Sequence, residues 1–333
     1  MAVYTEVSFD EAAALVAKLG IGELTHLQPC AGGIENTNYF VDTTRGRYVL
    51  TLFERLTAQE LPFYLHLMKH LAERGIPVPG PKANTSADAQ SAILHQLKGK
   101  PAAVVDRLPG QHPLAPTPLQ CSRVGAMLAR LHLAGQSFRM HQPNLRGLDW
   151  WEVTVPQVLP FMAPAQQRLM SRELAFQQQV AKSAAYGALP RGPIHADLFR
   201  DNVMFEGDEL TGLFDFYFAG VDTFLFDIAV CLNDWCMAPA TGQLDESRAN
   251  AFVSAYDAVR RLRDEEIKLM PAALRAAALR FWISRMWDLH LPRDASVLQP
   301  HDPAHFERVL QARLDSPWHY TRAHALPPPL KAT

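Results

Sequence analysis

Apolar residues change their spacing several times along this chain, and each change marks an element. Ser8 followed by Glu11 makes a capping box, and Ala12, Leu15, Val16 and Leu19 then recur at helical spacing until Gly20 stops them, which predicts an opening helix. Residues 27–42 are strand-like but interrupted by a Gly-Gly pair and two asparagines. After a turn at Arg45 and Gly46, residues 48–53 form a further β-rich run. Helical spacing returns in Leu61, Leu65, Met68 and Leu71 and ends at Gly75, where the prolines of 76–81 forbid its continuation. Short strands at 92–96 and 102–108, turning at Lys98, Gly99 and Lys100, complete a sheet of about five strands with one helix inserted.

Beyond Leu108 the pattern switches. Pro109-Gly110 opens a proline-spaced stretch through Pro118 that reads as a hinge, and helical apolar faces then dominate, at 119–133, 165–186, 226–235, 248–262 and 271–289. The exception is 192–222, a loop and two short strands set among helices. The expected division is therefore a lobe over 1–107 and a second over 108–333, with the proline-rich tail 326–333 extended and peripheral.

Composition narrows the class. At 333 residues, 48% apolar and 20% charged, the chain is globular and long enough for two domains around one cleft. A net charge of -2 supplies no general attraction to nucleic acid or to an anionic membrane, which favours a small, locally recognised substrate. The first twenty residues lack a signal-peptide pattern and no apolar stretch reaches spanning length, so a cytoplasmic location is expected. Cys30, Cys121, Cys231 and Cys236 contain no C-x-x-C pair and read as buried thiols in a reducing compartment.

The segment His195-Ala-Asp197-Leu-Phe-Arg200-Asp201-Asn202, followed by a strand and then Leu213-Phe-Asp215, carries the chemistry. Phosphoryl transfer needs a carboxylate beside the attacking hydroxyl and oxygen ligands that hold magnesium against the nucleotide phosphates. Asp197 is placed for the first task, and Asn202 with Asp215 for the second. The bland alternative is that Asp197 and Asn202 stabilise a polar turn and Asp215 caps a helix. All three in one strand-and-loop context favour the functional reading.

This H-x-D-x-x-x-x-N element with its following strand and Asp resembles the catalytic region of the aminoglycoside phosphotransferase and choline kinase superfamily. More narrowly, GGIENTNYFV, LPFYLHLMKHLAERGIPVPGP, HADLFRDNV and FDIAVCLNDWC resemble the homoserine kinases of that superfamily. The resemblance implies an α+β, two-lobed protein-kinase-like fold: a small antiparallel-sheet N-lobe with an inserted helix, and a larger, mostly helical C-lobe. It implies ATP and Mg2+ as cofactors and transfer of the γ-phosphoryl group to the homoserine hydroxyl, a step of threonine biosynthesis. Asp197 is then the base, Asn202 and Asp215 the magnesium ligands, His195 the structural holder of the catalytic loop, and Gly32, Gly33 and Asn36 part of the segment over the triphosphate.

One position departs from that pattern. Kinases of this architecture carry Lys or Arg on the third strand, whereas here Thr51 stands at the matching position. Period-two alternation would bring Arg55 to the same face if the strand continued, making it a candidate phosphate ligand, with Lys82 as another. For the substrate's charged ends the candidates are Glu35, Arg200, Asp234 and Arg285, the last an isolated Arg in an apolar stretch that either meets the substrate carboxylate or pairs with Asp288.

Three other readings are set against this one. A choline, ethanolamine or aminoglycoside kinase would need a site for its cation, and Trp235, Trp282 and Trp287 offer an aromatic cage. A non-catalytic pseudokinase would explain Thr51 but not the presence of Asp197, Asn202 and Asp215 together. A zinc site at His66 and His70 lacks a third ligand.

Overall fold

A computed structural model of the chain describes residues 5–30, 36–84, 93–291 and 301–322. The N-terminal part contains α1 (Phe9–Leu19), β1 (Leu24–Pro29), β2 (Thr37–Thr43), β3 (Gly46–Leu52), α2 (Pro62–Ala72), β4 (His95–Leu97) and β5 (Lys100–Asp106). The strands form one antiparallel sheet in the order β1-β2-β3-β5-β4. The opening helix is capped as its sequence dictates, with the Ser8 backbone donating to Glu11 and the Glu11 backbone to Ser8 Oγ, and Gly20 closes it at φ 65°.

Alternation gives the sheet two different faces. Tyr39, Val41, Tyr48, Leu50, Leu52, Ala102 and Val104 are buried against Ala12, Leu15, Val16 and Leu19 of α1. The opposite face, carrying Asn38, Thr51, Ala103 and Val105, turns toward α2 and the rest of the molecule. The Phe53 N–H still donates to the Pro101 carbonyl, in register with the Leu52–Ala102 pair, but proline has no N–H to return the bond, and Glu54 and Arg55 lie in a bend beyond it.

The larger part contains α3 (Pro118–Gly135), α4 (Leu148–Val158), α5 (Pro164–Ala181), the single-turn α6 (Ala184–Gly187), β6 (Arg191–Ile194), β7 (Val203–Glu206), β8 (Glu209–Leu213), β9 (Gly220–Thr223), α7 (Phe224–Trp235), α8 (Glu246–Val259), α9 (Asp264–His290) and α10 (Ala304–Asp315). Every residue of α7 is buried, so it forms the axis around which the other helices pack. Helices α3 and α8 approach so closely that a Cβ on Gly125 would lie 2.2 Å from the Phe252 carbonyl oxygen.

Where two short strands were expected within 192–222 there are two antiparallel pairs, the hairpin β7–β8 and, enclosing it in sequence, β6 with β9. Helix α9 starts seven residues ahead of the expected Pro271, because the Arg263 backbone is capped by Glu266 and the helix runs on through the proline. Helices α4 and α10 were not expected at all. The first contains Pro156, and the inner face of the second, Phe306, Val309, Leu310 and Arg313, ends in a charged residue that blunts its apolar period.

Contacts join the two parts at the segment that bears Asp215. Phe53 and Tyr64 pack edge-on against Tyr217, and the Leu213 N–H donates to the Pro77 carbonyl. The hinge is pinned as well, with Gln111 bridged to Phe205 and Gly110 at φ 105° where a Cβ would strike the Phe205 carbonyl. Cys121, Cys231 and Cys236 are buried free thiols, while Cys30 is only half-buried. Among the described residues no helix is long and apolar enough to cross a membrane.

Candidate active site

The loop between β6 and β7 carries His195, Asp197 and Asn202 and is held from several sides. Ala196 sits at φ 64°, a left-handed conformation that costs a β-carbon residue roughly 1–2 kcal/mol. That conformation points the His195 and Ala196 N–H groups at one carboxylate, and Asp227 of α7 accepts both at 2.8 Å. Farther along, the Trp235 indole donates to the Leu198 carbonyl at 2.9 Å, and Asp234 accepts from the Arg200 backbone at 2.8 Å. One buried helix therefore fixes the loop at three levels.

Asp227 is itself part of a buried chain. His132 of α3 donates from Nε2 to Asp227 at 3.0 Å and accepts at Nδ1 from the Tyr256 hydroxyl at 2.7 Å, while Arg260 donates to that hydroxyl at 2.6 Å. Burial pushes the His132 pKa down despite Asp227, so its ring is neutral. Burial pushes Asp227 up, but the His132 and backbone hydrogen bonds outweigh this and hold it below the usual carboxylate range, ionised.

His195 is fully buried and donates from Nε2 to the Phe214 carbonyl at 2.9 Å, tying the loop to the residue before Asp215. Burial lowers its pKa, so it serves as a neutral brace. Asn202 donates from Nδ2 to the Asp197 carbonyl at 2.8 Å, which leaves its amide oxygen as the atom that could take a cation. The Asn202 carbonyl accepts from the Phe214 N–H at 3.1 Å, so the open end of the β7–β8 pair sets Asp215 beside Asn202. Asp215 is exposed and adopts φ 66°, a left-handed turn that carries its carboxylate off the line of β8.

Asp197 keeps 17% of its side-chain surface, in surroundings that raise its pKa well above the ordinary value. Burial is the largest cause, opposed by the Arg280 guanidinium and reinforced by Asp215 and other nearby carboxylates. Arg280 Nη1 of α9 lies 4.0 Å from Asp197 Oδ1, and the guanidinium carbon lies over the Phe281 ring, 3.8 Å from its centroid. The spacing of residues singled out Arg285 on this helix and passed over Arg280. The signal was there, since Arg280 stands in the same kind of apolar run, after Ala276, Ala277, Ala278 and Leu279.

The structure thus brings Asp197, Asn202 and Asp215 together, with Asp234 and Arg285 in electrostatic range of Asp197 but engaged by other groups. Arg55 lies past the end of β3, so alternation cannot carry it to the face of Thr51, whose hydroxyl donates to Asn38 at 2.7 Å. Lys82 is paired with Asp106 at 2.6 Å. Asn36 accepts from the Glu54 backbone at 3.4 Å. Arg200 and Asp234, expected to act separately on substrate, satisfy each other through Nε and Nη2 at 3.1 and 3.2 Å. Arg285 donates to the Asp302 carbonyl at 3.2 Å and stacks on Phe306. Gly32, Gly33 and Glu35 lie outside the described residues. Trp235 and Trp282 are fully buried and cannot wall a cage open to a ligand, and His70 contacts the Ala134 carbonyl.

Comparison with known proteins bears on what such a site does. Residues 26–262 match the phosphotransferase enzyme family. The chain is 64% identical over 318 residues to a homoserine kinase of Polaromonas naphthalenivorans, covering 96% of this chain and 99% of the relative. It is 53% identical over 324 residues to a homoserine kinase of Ralstonia nicotianae, covering 94% and 96%. Among solved structures it superposes on an amicoumacin kinase in complex with AMP-PNP, Ca2+ and Ami at a TM-score of 0.67 with 16% identity, covering 92% of this chain and 94% of the other. A choline/ethanolamine kinase family protein from Mesorhizobium loti gives a TM-score of 0.60 with 17% identity, covering 92% and 95%. These distant likenesses show the two-lobed kinase-like fold.

Proposed function

Because the chain belongs to the phosphotransferase enzyme family, and within it to the homoserine kinases, we propose that it transfers the γ-phosphoryl group of ATP to the hydroxyl of homoserine, giving O-phosphohomoserine and ADP. The observation that carries this reading is the meeting of Asp197, Asn202 and Asp215 on one braced loop and hairpin end. Asp197 accepts the hydroxyl proton and aims the oxygen at the phosphorus, and its raised pKa makes it a better proton acceptor than an exposed carboxylate.

Asn202 and Asp215 are the residues that would hold magnesium. The fit is chemical: one amide oxygen and one carboxylate suit a hard cation that takes its remaining ligands from phosphate and water. When bound, the cation supplies neutralisation of phosphate charge. The 31–37 segment, with Gly32, Gly33 and Asn36, is assigned to the nucleotide phosphates, and Arg55 stays a candidate only if it reaches them from outside the strand. The Arg200–Asp234 pair is assigned to holding the loop, and Glu35 to the substrate ammonium.

The burial of Trp235 and Trp282 speaks against a choline-type acceptor, and the complete Asp197, Asn202 and Asp215 set speaks against a non-catalytic module. A coupled assay of ADP release, offering homoserine, choline, ethanolamine and an aminoglycoside separately, tests the assignment. Homoserine is expected to be turned over best. Equal or better turnover of choline would overturn it.

A further inference from the structure

We propose that Arg280 binds the carboxylate of the acceptor and thereby selects an amino acid over the corresponding amino alcohol; this rests on the reading of homoserine as substrate. Arg280 is 2% exposed, yet its Nε and Nη2 have no hydrogen-bond partner among the described residues, and the nearest carboxylate, Asp197, stands at 4.0 Å, beyond hydrogen-bond reach. A buried guanidinium without a partner is costly, and proteins pair such groups. Burial lowers its pKa to about 10, so it remains a cation at neutral pH.

Other arginines drawn into the protein show what a structural role looks like. Arg260 is closed by Glu266 and Tyr256, and the half-buried Arg275 donates through Nε to both oxygens of Glu173. Arg313 leaves Nη2 unpaired but donates through Nε to Asn233 and through Nη1 to the Gly242 carbonyl. Arg280 has no such closure. Its guanidinium carbon instead lies over the Phe281 ring at 3.8 Å and the Phe218 ring at 5.0 Å, cation–π contacts that restrain the group before any anion arrives.

Position identifies the anion. In homoserine the hydroxyl oxygen and the carboxyl carbon are four bonds apart, roughly 3–5 Å depending on conformation. A hydroxyl seated on Asp197 therefore brings the carboxylate within reach of a guanidinium 4.0 Å from the same residue. Two parallel N–H donors match a carboxylate and leave neutral or cationic alcohols without a partner. The competing anion is the phosphoryl group in transfer, which would use Arg280 whatever the acceptor.

The test compares homoserine with propanolamine, which is homoserine without its carboxylate, in the wild-type enzyme, Arg280→Met and Arg280→Lys. The expected result is that the preference for homoserine, as the ratio of kcat/KM values, falls about a hundredfold or more in Arg280→Met, as expected for a lost buried charge pair. The homoserine KM should carry the loss, with the ATP KM moving less than about threefold. Arg280→Lys keeps the buried charge but loses the fork, so a reduced preference in that variant supports the proposal even where the methionine protein does not fold. Equal losses on both acceptors, with the ratio unchanged, would overturn the proposal in favour of phosphoryl stabilisation. A wild-type enzyme that turns over propanolamine but not homoserine would instead sink the acceptor assignment itself.

Discussion

Asp227→Asn separates the support of the catalytic loop from its chemistry. The native carboxylate accepts from the His195 and Ala196 backbones at 2.8 Å each and from His132 at 3.0 Å, and among the described residues it makes no hydrogen bond to the proposed metal or substrate set. Hydrogen bonds to a charged group are worth ~1.5–3 kcal/mol each. Asparagine keeps one accepting oxygen but turns an N–H toward a second donor, so a loss of about 3 kcal/mol at the loop is the working figure. Ala196 then has less to hold it at φ 64°. If the loosened loop reaches its working geometry only at that cost, kcat/KM falls roughly 100-fold. Steady-state kinetics and titration of ATP binding should show turnover falling far more than nucleotide affinity, and adding Ala196→Gly should alter the loss, because glycine removes the strain that Asp227 offsets. An Asp227→Asn enzyme within about threefold of wild type would refute the argument that this carboxylate sets the loop.

The remaining predictions concern metal, pH and packing. Chelation should abolish turnover and magnesium restore it, and Asp215→Asn should raise the magnesium concentration needed at saturating ATP; an unchanged requirement would remove Asp215 from the cation site. Because burial lifts the Asp197 pKa, the group is protonated over a wider acidic range, so kcat should rise with pH through a limb displaced above the ordinary carboxylate value of about 3.9. A limb at or below that value would contradict the assigned environment. Gly125→Ala forces a Cβ against the Phe252 carbonyl across α3 and α8 and should cost about 1–3 kcal/mol of stability, read as a lowered Tm; an unchanged Tm would mean that the helices part without penalty.

What could be read from the sequence was local. The spacing of Asp197 and Asn202 and the strand leading to Asp215 place those side chains without knowledge of any distant contact. The capping box at Ser8 and the glycine stops likewise act within a few residues. What escaped was supplied by tertiary packing. Asp227, His132 and Arg280 come from three different helices, and only folding shows that they converge on one loop. The alternation that pointed to Arg55 stops short of it for a backbone reason, since Glu54 and Arg55 lie in the bend after β3 and strand periodicity no longer applies there. Arg200 and Asp234 looked like two charges for a substrate because their mutual pairing joins a loop to a helix thirty-four residues later.

The central claim is that Asp197 drives transfer from ATP to homoserine. It is tested most directly by incubating wild-type and Asp197→Asn protein with magnesium, ATP and homoserine, measuring O-phosphohomoserine and ADP, and titrating ATP binding to both proteins. Wild type should release the two products in equal amounts, while the variant should bind ATP as before and lose roughly 10²–10⁴-fold in turnover. No phosphohomoserine from wild type, or turnover in the variant close to that of wild type, would contradict the account.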